Sequence, residues 1–245
     1  MNEPFGEDEL LPRHRAFLLA NGQLLPVNVR EDVRWEDLLD IDEQKQQLEK
    51  NLVNFLNGQG YNQTLLWGAR GTGKSSLVRA LFLRYQRRLA IVQISADDLI
   101  ELPQLFWQLG QINQKFIVFI DDLSFASEDK AYRALKSVLD GAICAIPSNV
   151  FLLVTSNRRH LLAERHQDEA TLHPEEEVEE QISLAERFGL RLAFHPLSQR
   201  QYLAAVRHWL KVDNLTAAVE QQALQFALAR GSRSARVAEQ FVKGL

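Results

Sequence analysis

The sequence predicts an α/β fold in which a parallel sheet is covered by helices on both faces and is followed by a small all-helical region. Three observations predict this class. Five short apolar runs, each the length of a strand, occur along the chain, and stretches of helical periodicity separate the first four. The runs lack the polar alternation of strands with one face in water, which is typical of parallel strands buried on both faces. From residue 198 onward the helical pattern continues with no strand signal.

Each element can be located from these patterns. A first helix is expected over residues 42–57, because its apolar residues recur at helical spacing and glycines follow it. Strands are predicted at 64–67, 89–94, 116–120, 150–155 and 190–194. Helices are predicted at 75–85, 98–109, 130–142, 198–210, 216–229 and 234–243. Upstream, the dipeptide Asn21-Gly22 between two apolar runs indicates a short hairpin.

The composition places the chain among ordinary globular proteins. Of its 245 residues, 46% are hydrophobic and 24% are charged, which is typical of a soluble domain with a full core. No apolar run is long enough to span a membrane, and the acidic start lacks a signal-peptide core. The single cysteine, Cys144, excludes an intrachain disulfide framework and a cysteine-based zinc cluster, and its apolar surroundings favour a small core residue. A cytoplasmic location is therefore expected.

The negative charge is concentrated in one segment. The formal net charge is −4, yet residues 164–187 contain nine acids and two bases, so the rest of the chain carries +3. Together with the strand and helix patterns, this charge distribution divides the chain into an N-terminal extension (1–34), an α/β core (35–197) with an acidic insert (164–186), and a helical subdomain (198–245). The insert is expected to be an exposed loop, and the alternative is that its charge only keeps this segment soluble.

A glycine-rich motif lies between the first of the five strands and the helix that follows it. The run Gly68-Ala-Arg-Gly-Thr-Gly-Lys-Ser75 fits the pattern G-x-x-x-x-G-K-[ST], known as Walker A. Its glycines let backbone N–H groups surround phosphates, and the helix directs its positive end toward them. Lys74 is expected at the β- and γ-phosphates, and the Ser75 hydroxyl is expected to ligate Mg²⁺. The residues predicted to bind nucleotide phosphates are Gly68, Ala69, Arg70, Gly71, Thr72, Gly73, Lys74, Ser75 and Ser76.

Two carboxylates end the third of these strands. The apolar run Phe116–Ile120 is followed by Asp121 and Asp122, as in a Walker B motif. Ligands of parallel sheets bind at the carboxyl ends of the strands. Asp121 is expected to hold the Mg²⁺ shell, and Asp122 to orient or deprotonate the attacking water. The alternative is that the pair only ends the strand and caps a helix.

With these motifs in place, the chain resembles the AAA+ ATPases. Residues 150–157 are similar to the family's sensor-1 strand, which implies that Asn157 helps to position the lytic water. Arg187 lies where the family carries the arginine finger that reaches a neighbouring subunit's nucleotide. Arg233 and Arg236 match the sensor-2 motif, and spacing favours Arg236. The structural alternatives are a plain turn, a surface salt bridge and a solvated helix start.

The resemblance extends from about residue 37 to the C-terminus and is closest to a bacterial family of predicted AAA+ ATPases that contain a domain of unknown function. It implies a five-stranded core of order 5-1-4-3-2 with a helical lid, ATP and Mg²⁺ as ligands, and a homo-oligomer with an arginine-finger interface. In the sequence, Asp122 stands where the superfamily usually has Glu, which indicates slow turnover. Leu39-Asp40-Ile41 stands where many relatives have Gly at the adenine side, so Ile41 is expected beside the base.

Two other groups of residues favour structural interpretations. The histidines within residues 160–173 are irregularly spaced in an acidic stretch, which favours a solvated loop over a metal site. Arg84, Arg87 and Arg88 end a helix, where cations complement the helix dipole, and a nucleic-acid patch is the alternative.

Three functions remain open on the sequence alone. The first is an ATPase that hydrolyses ATP to ADP and phosphate and couples the cycle to remodelling or loading of an unidentified macromolecular partner. The second is a switch or adaptor that binds ATP without hydrolysing it. The third is a loader that acts on nucleic acid, which the chain's net charge does not indicate.

Overall fold

The computed structural model describes residues 14–123, 130–141, 145–157 and 184–245. Several sequence-based predictions lie outside these ranges. They concern Cys144, the histidines of 160–173 and nearly all of the acidic insert. Within the described ranges, no helix combines the length and apolar character needed to cross a membrane.

One seven-stranded sheet organises the described part of the chain. Its order is β2-β1-β4-β5-β6-β3-β7, and every neighbouring pair except β1–β2 is parallel. The strands are β1 (Ala16–Ala20), β2 (Gln23–Pro26), β3 (Thr64–Gly68), β4 (Ala90–Ile94), β5 (Phe116–Ile120), β6 (Val150–Ser156) and β7 (Leu190–Phe194). The five predicted strands, β3 to β7, have the predicted order. The predicted count of five was wrong, because two further strands extend the sheet beyond β4.

The two additional strands come from the predicted hairpin at Asn21-Gly22. Strand β1 pairs in parallel with β4, and β2 turns back antiparallel along the outer edge. Both turn residues have positive φ (49° and 74°), as a tight hairpin requires. Phe17 and Leu19 are 1% and 2% exposed. Their burial in the core beneath β4 explains why the hairpin joins the sheet.

Helices cover both faces of the sheet and bury two hydrophobic cores. The helices are α1 (Asp42–Leu56), α2 (Lys74–Tyr85), α3 (Leu102–Gly110) and α4 (Lys130–Leu139). One core lies between the sheet and α1 and α2, and the other between the sheet and α3 and α4. Strand β5 is buried along its whole length because it contributes to both cores. This two-sided burial explains its unbroken apolar run.

Three helices follow the last strand, at the predicted positions. They are α5 (Gln199–Leu210), α6 (Ala217–Ala229) and α7 (Ala235–Lys243). A hydroxyl accepts a hydrogen bond from the backbone in the first turn of each helix, and the capping residues are Ser198, Thr216 and Ser234. The helices share a hydrophobic core of their own around the fully buried Tyr202. We call residues 198–245 the helical unit.

Sheet order determines which loops can form a site. Strands β5, β6 and β3 are neighbours and run in parallel, so their carboxyl ends lie side by side. The two carboxylates follow β5, Asn157 follows β6, and the glycine-rich motif follows β3. Three sequence motifs that are far apart along the chain therefore lie at one edge of the sheet.

Candidate functional site

The loop from Gly68 to Gly73, which we call the phosphate loop, depends on glycine conformations. Gly68, Gly71 and Gly73 have φ values of 127°, 76° and 99°, a region that side-chain-bearing residues rarely adopt. A Cβ on Gly68 would lie 2.0 Å from the carbonyl oxygen of Phe194. The loop therefore passes against the end of β7, where the Ala69 N–H donates to that same carbonyl at 3.0 Å.

Lys74 is the buried cation at the centre of the phosphate loop. It is 5% exposed, and its ammonium donates to the carbonyls of Gly68 and Ala69 at 2.9 and 2.8 Å and to Asn157 Oδ1 at 2.9 Å. Burial lowers the pKa of Lys74 to about 8, against the opposing attraction of Asp122 and Asp121. Added negative charge beside the ammonium would therefore favour its protonated form.

Asp121 is the acceptor on which two hydroxyls converge. Ser75 Oγ and Thr155 Oγ1 each donate to Asp121 Oδ1 at 2.7 Å. Serine and aspartate oxygens are ligands that suit Mg²⁺, which usually takes only one or two protein groups and completes its shell with phosphates and water. Among the described residues there is no cluster of three or more His, Cys, Asp or Glu side chains that could hold a metal alone. Ser75 and Asp121 therefore fit a Mg²⁺ that is shared with a phosphate ligand.

Asp122 connects the carboxylate pair to the neighbouring strand. Its backbone N–H donates to Thr155 Oγ1 at 2.8 Å, and its carboxylate accepts a hydrogen bond from Asn157 Nδ2. Its φ is 56°, an uncommon left-handed value for a residue with a side chain. The Arg70 guanidinium lies 4.0 Å from Asp122 Oδ2, and both side chains are exposed. Asn157 thus bridges Lys74 and Asp122 through two hydrogen bonds.

A cavity of about 600 Å³ extends from the phosphate loop to the segment before α1 and to α7. Ile41 and Leu38 form an apolar part of its wall, 3.8 Å from where a Cβ on Gly73 would lie. Asp40, at the turn where many relatives have glycine, adopts a φ of 57°. The predicted residues Arg70 to Ser76, Asp121, Asp122, Asn157, Ile41 and Arg236 all line this cavity.

The two candidate sensor arginines line different cavities. Arg236 faces the cavity of about 600 Å³, whereas Arg233 lines a neighbouring one of about 720 Å³ together with Arg70 and Asn157. Between them, Ser234 packs against the phosphate loop, since a Cβ on Gly71 would lie 2.8 Å from Ser234 Oγ. The start of α7 is therefore in direct contact with the phosphate loop.

Arg187 lies away from both cavities. It forms an ion pair with Asp140, which directly follows α4, and it lines neither of the two cavities. This is the surface salt bridge that the sequence left as an alternative. Within one chain, Arg187 is not brought together with the other predicted catalytic residues.

Several cavity residues were not predicted from the sequence. Asp37 links the core to the helical unit, because its carboxylate accepts hydrogen bonds from Arg34 and contacts His208 Nε2 at 3.1 Å. Hydrogen bonding from the Arg34 side chain lowers the pKa of Asp37. Thr155, which supports Asp121 and Asp122 from β6 without lining the cavity, was also not predicted, because a single hydroxyl near the end of a strand carries no specific signal. The further unpredicted lining residues are Arg30, Asp32, Val33, Leu38, Leu39, Arg79, Trp209, Ala235 and Glu239.

Two solved structures resemble this fold. The Aeropyrum pernix Orc1 protein in complex with DNA is 17% identical with a TM-score of 0.59, and the match covers 90% of this chain and 62% of that one. The chain thus spans less than two thirds of that protein. The FIGL-1 AAA domain in complex with ADP is also 17% identical, with a TM-score of 0.52, and the match covers 89% of this chain and 86% of that one.

Sequence comparison gives the family. No curated protein matches the chain at the sequence level. The family described as Protein of unknown function (DUF815) matches residues 12–245. The match spans nearly the whole chain, and the fold is that found in AAA+ ATPases. The chain therefore belongs to the DUF815 family and has the AAA+ fold.

Proposed function

We propose that the chain binds ATP with Mg²⁺ and hydrolyses it to ADP and phosphate. The observation that carries this proposal is the bridge made by Asn157 between Lys74 and Asp122. It joins a phosphate-binding cation to a carboxylate that can orient water, and it does so at the edge where Ser75 and Asp121 can share a Mg²⁺. In the bound state Mg²⁺ neutralises charge on the phosphates. The chain's own residues hold and orient the reactants.

Nucleotide binding must rearrange this bridge. All three ammonium protons of Lys74 are used by Gly68, Ala69 and Asn157. A phosphate oxygen that accepts from Lys74 therefore replaces one of these acceptors. If the phosphate oxygen replaces Asn157 Oδ1 as an acceptor of Lys74, the Asn157 side chain becomes free to orient a water beside Asp122. This exchange would couple phosphate binding to assembly of the catalytic group.

The helical unit is proposed to act as a lid over the nucleotide. Its helix α7 touches the phosphate loop where Ser234 packs against Gly71, and Arg236 faces the same cavity. A shift of the loop on phosphate binding would press on α7. We infer that the ATP cycle changes the angle between core and lid and so remodels or loads a macromolecular partner.

Arg187 is proposed to act on a second copy of the chain. Arg187 and Asp140 both lie outside the lining of the two cavities, so a movement of Arg187 would leave the nucleotide site of its own chain unchanged. An arginine inserted into a neighbour's site would stabilise charge on the transferred phosphoryl group. The proposal therefore includes a homo-oligomer whose turnover depends on protein concentration.

The test is ATP binding and steady-state hydrolysis by the full chain. We expect Lys74→Met to weaken ATP binding at least tenfold and to abolish turnover, because the charge at the phosphates is lost. The matched control is Lys50→Met, which changes an exposed lysine of α1 that does not line the cavity. Wild-type turnover in Lys74→Met would refute the proposal. Turnover that Arg187→Ala leaves unchanged at high protein concentration would refute the oligomeric part alone.

A second candidate is a switch that binds ATP without cleaving it. The Asp122 side chain is one methylene shorter than the glutamate usual in the superfamily and extends from a left-handed backbone, so it is less suited to orient a water. Single-turnover hydrolysis by the wild type and by Asp122→Asn separates the two functions. Equal and negligible rates, together with intact ATP binding, would favour the switch. A wild-type rate at least tenfold above that of Asp122→Asn would favour the ATPase.

A further inference from the structure

A second cationic cavity lies at the edge of the sheet opposite the phosphate loop. It has a volume of about 620 Å³, and we call it the amino-edge cavity. The residues that line it are Arg15, Leu56, Arg88, Ile112, Asn113, Gln114, Lys115, Ser148 and Asn149. It shares no residue with the cavity around the phosphate loop. Any ligand that it binds would therefore be independent of the nucleotide site.

The three cations come from three neighbouring strands. Arg15 directly precedes β1, Lys115 directly precedes β5, and Arg88 lies two residues before β4. These strands are adjacent and parallel, with β4 in the middle. Neighbouring strands are about 4.8 Å apart. The topology therefore places the backbones of three cationic residues along about 10 Å at one end of the sheet.

The lining of this cavity does not neutralise the charges. Among its described residues there is no aspartate or glutamate. Burial, and to a smaller extent the charge of Arg88, lowers the pKa of Lys115. The amide nitrogen of Gln114 is buried and has no hydrogen-bond partner among the described residues. The cavity thus presents positive charge without a neutralising carboxylate, beside a buried donor that lacks an acceptor.

Helix capping accounts for only part of this charge. Lys115 donates to the carbonyl of Phe55 at 2.7 Å, and Arg88 contacts the carbonyl of Leu56 and Asn57 Oδ1 at the carboxyl end of α1. The end of a helix carries about half a negative charge, so two full cations exceed it. Arg15 is half-buried and makes no side-chain hydrogen bond or ion pair with the described part of the chain. Capping of α1 therefore accounts for Lys115 and Arg88 but not for the charge of Arg15.

We propose that the amino-edge cavity binds a small anion with two or more linked phosphate groups. Arginine suits phosphate because its planar guanidinium donates two parallel hydrogen bonds to phosphate oxygens. Cationic residues spread along about 10 Å favour two linked phosphates over a single tetrahedral ion, because the longer anion can contact cations that lie farther apart. The source of the diphosphate is either free pyrophosphate or the phosphate tail of a nucleotide.

The test uses a protein whose phosphate loop is disabled, so that binding at the nucleotide site does not contribute. Pyrophosphate is titrated by calorimetry into Lys74→Met at about 0.15 M salt, where loose surface attraction is screened. In that background we expect Arg15→Gln and Arg88→Gln each to weaken pyrophosphate binding at least tenfold. The matched control, Arg87→Gln, removes the same charge from an exposed neighbour that does not line the cavity, and it should change the affinity less than twofold.

Each remaining outcome bears on the proposal. Absence of pyrophosphate binding, or an equal loss in Arg87→Gln, would overturn it. Sulfate that binds as tightly as pyrophosphate would overturn the requirement for linked phosphates.

ADP that binds at least as tightly as pyrophosphate, with the same loss in Arg15→Gln, would support a nucleotide tail as the source. Binding of single-stranded DNA alone, weakened by Arg15→Gln, would overturn the small-ligand assignment. Circular dichroism of Arg15→Gln verifies that the fold is intact, and none of these results requires ATP hydrolysis.

Discussion

Thr155 offers a sharp test of how the candidate site is held together. Its side chain is 1% exposed, and its hydroxyl both donates to Asp121 and accepts from the Asp122 N–H. Thr155→Val keeps the shape and removes both bonds. The partly buried bond from the Asp122 N–H contributes about 0.5–1.5 kcal/mol, and a hydrogen bond to a charged group contributes about 1.5–3 kcal/mol. Because Asp121 keeps its bond from Ser75, we expect a total loss of about 2–4 kcal/mol.

The assay is thermal unfolding followed by circular dichroism. For a chain of this length, each kcal/mol lowers Tm by about 2–4 °C, so Thr155→Val should lower Tm by about 4–16 °C. The control Thr155→Ser keeps the hydroxyl and should lose only about 1 kcal/mol from the missing methyl group. A Tm for Thr155→Val within about 1 °C of the wild type would refute the role of the hydroxyl. An equal loss in Thr155→Ser would show that packing matters instead.

Four further expectations follow from the same geometry. Because burial lowers the pKa of Lys74 to about 8, ATP affinity should fall about tenfold per pH unit above pH 8 in a fluorescence titration. The same shift should make the nucleotide-free protein more stable as the pH rises from about 8 to about 10, since unfolding there takes up a proton. Gly71→Ala should weaken ATP binding at least tenfold, because its Cβ would meet Ser234 Oγ at 2.8 Å in a backbone with φ of 76°. Asp37→Asn should lower Tm near neutral pH, and the difference from the wild type should shrink below pH 4, where protonation of Asp37 removes the charge that Arg34 stabilises.

Matched variants separate these effects from general destabilisation. The arginine of Lys74→Arg keeps its charge over the whole pH range, so the ATP affinity of this variant should not fall above pH 8. Gly58 has a φ of 70° with nothing within 4 Å of a built Cβ, so Gly58→Ala introduces backbone strain without touching the site. Glu36→Gln removes an exposed carboxylate next to Asp37. A pH-independent ATP affinity in the wild type, or equal losses in a variant and its control, would contradict the corresponding expectation.

Local patterns were sufficient for the elements that carry the site. Strand β5 is apolar throughout because both its faces are buried, and the glycines of the phosphate loop have the backbone conformations that their sequence pattern implies. Strands that alternate with helices are expected to run in parallel, because each helix returns the chain to the end of the sheet where the previous strand began. These patterns predicted parallel strands and the places of Lys74 and Asp121, whereas the order of β3 to β7 and the place of Asn157 were implied by the resemblance to the AAA+ ATPases.

Long-range contacts were beyond sequence reasoning. Nothing local indicates that β1 would pair with β4, because Phe17 reads only as part of a short apolar run. The bond from Asp37 to His208 joins segments at opposite ends of the chain and depends on how the helical unit packs on the core. The ion pair of Arg187 with Asp140 is likewise a product of packing between distant segments.

The placement of the β1–β2 hairpin has a consequence for the order of folding. The hairpin can form by itself, since its two strands are joined by a tight turn and pair locally. A lone two-stranded hairpin is marginally stable, and its parallel pairing with β4 closes a long loop that contains α1, β3 and α2. Docking of the hairpin must therefore wait until β4 is in place. We expect this edge of the sheet to be among the last parts to form and the first to open, and amide hydrogen exchange along β1 would measure that step.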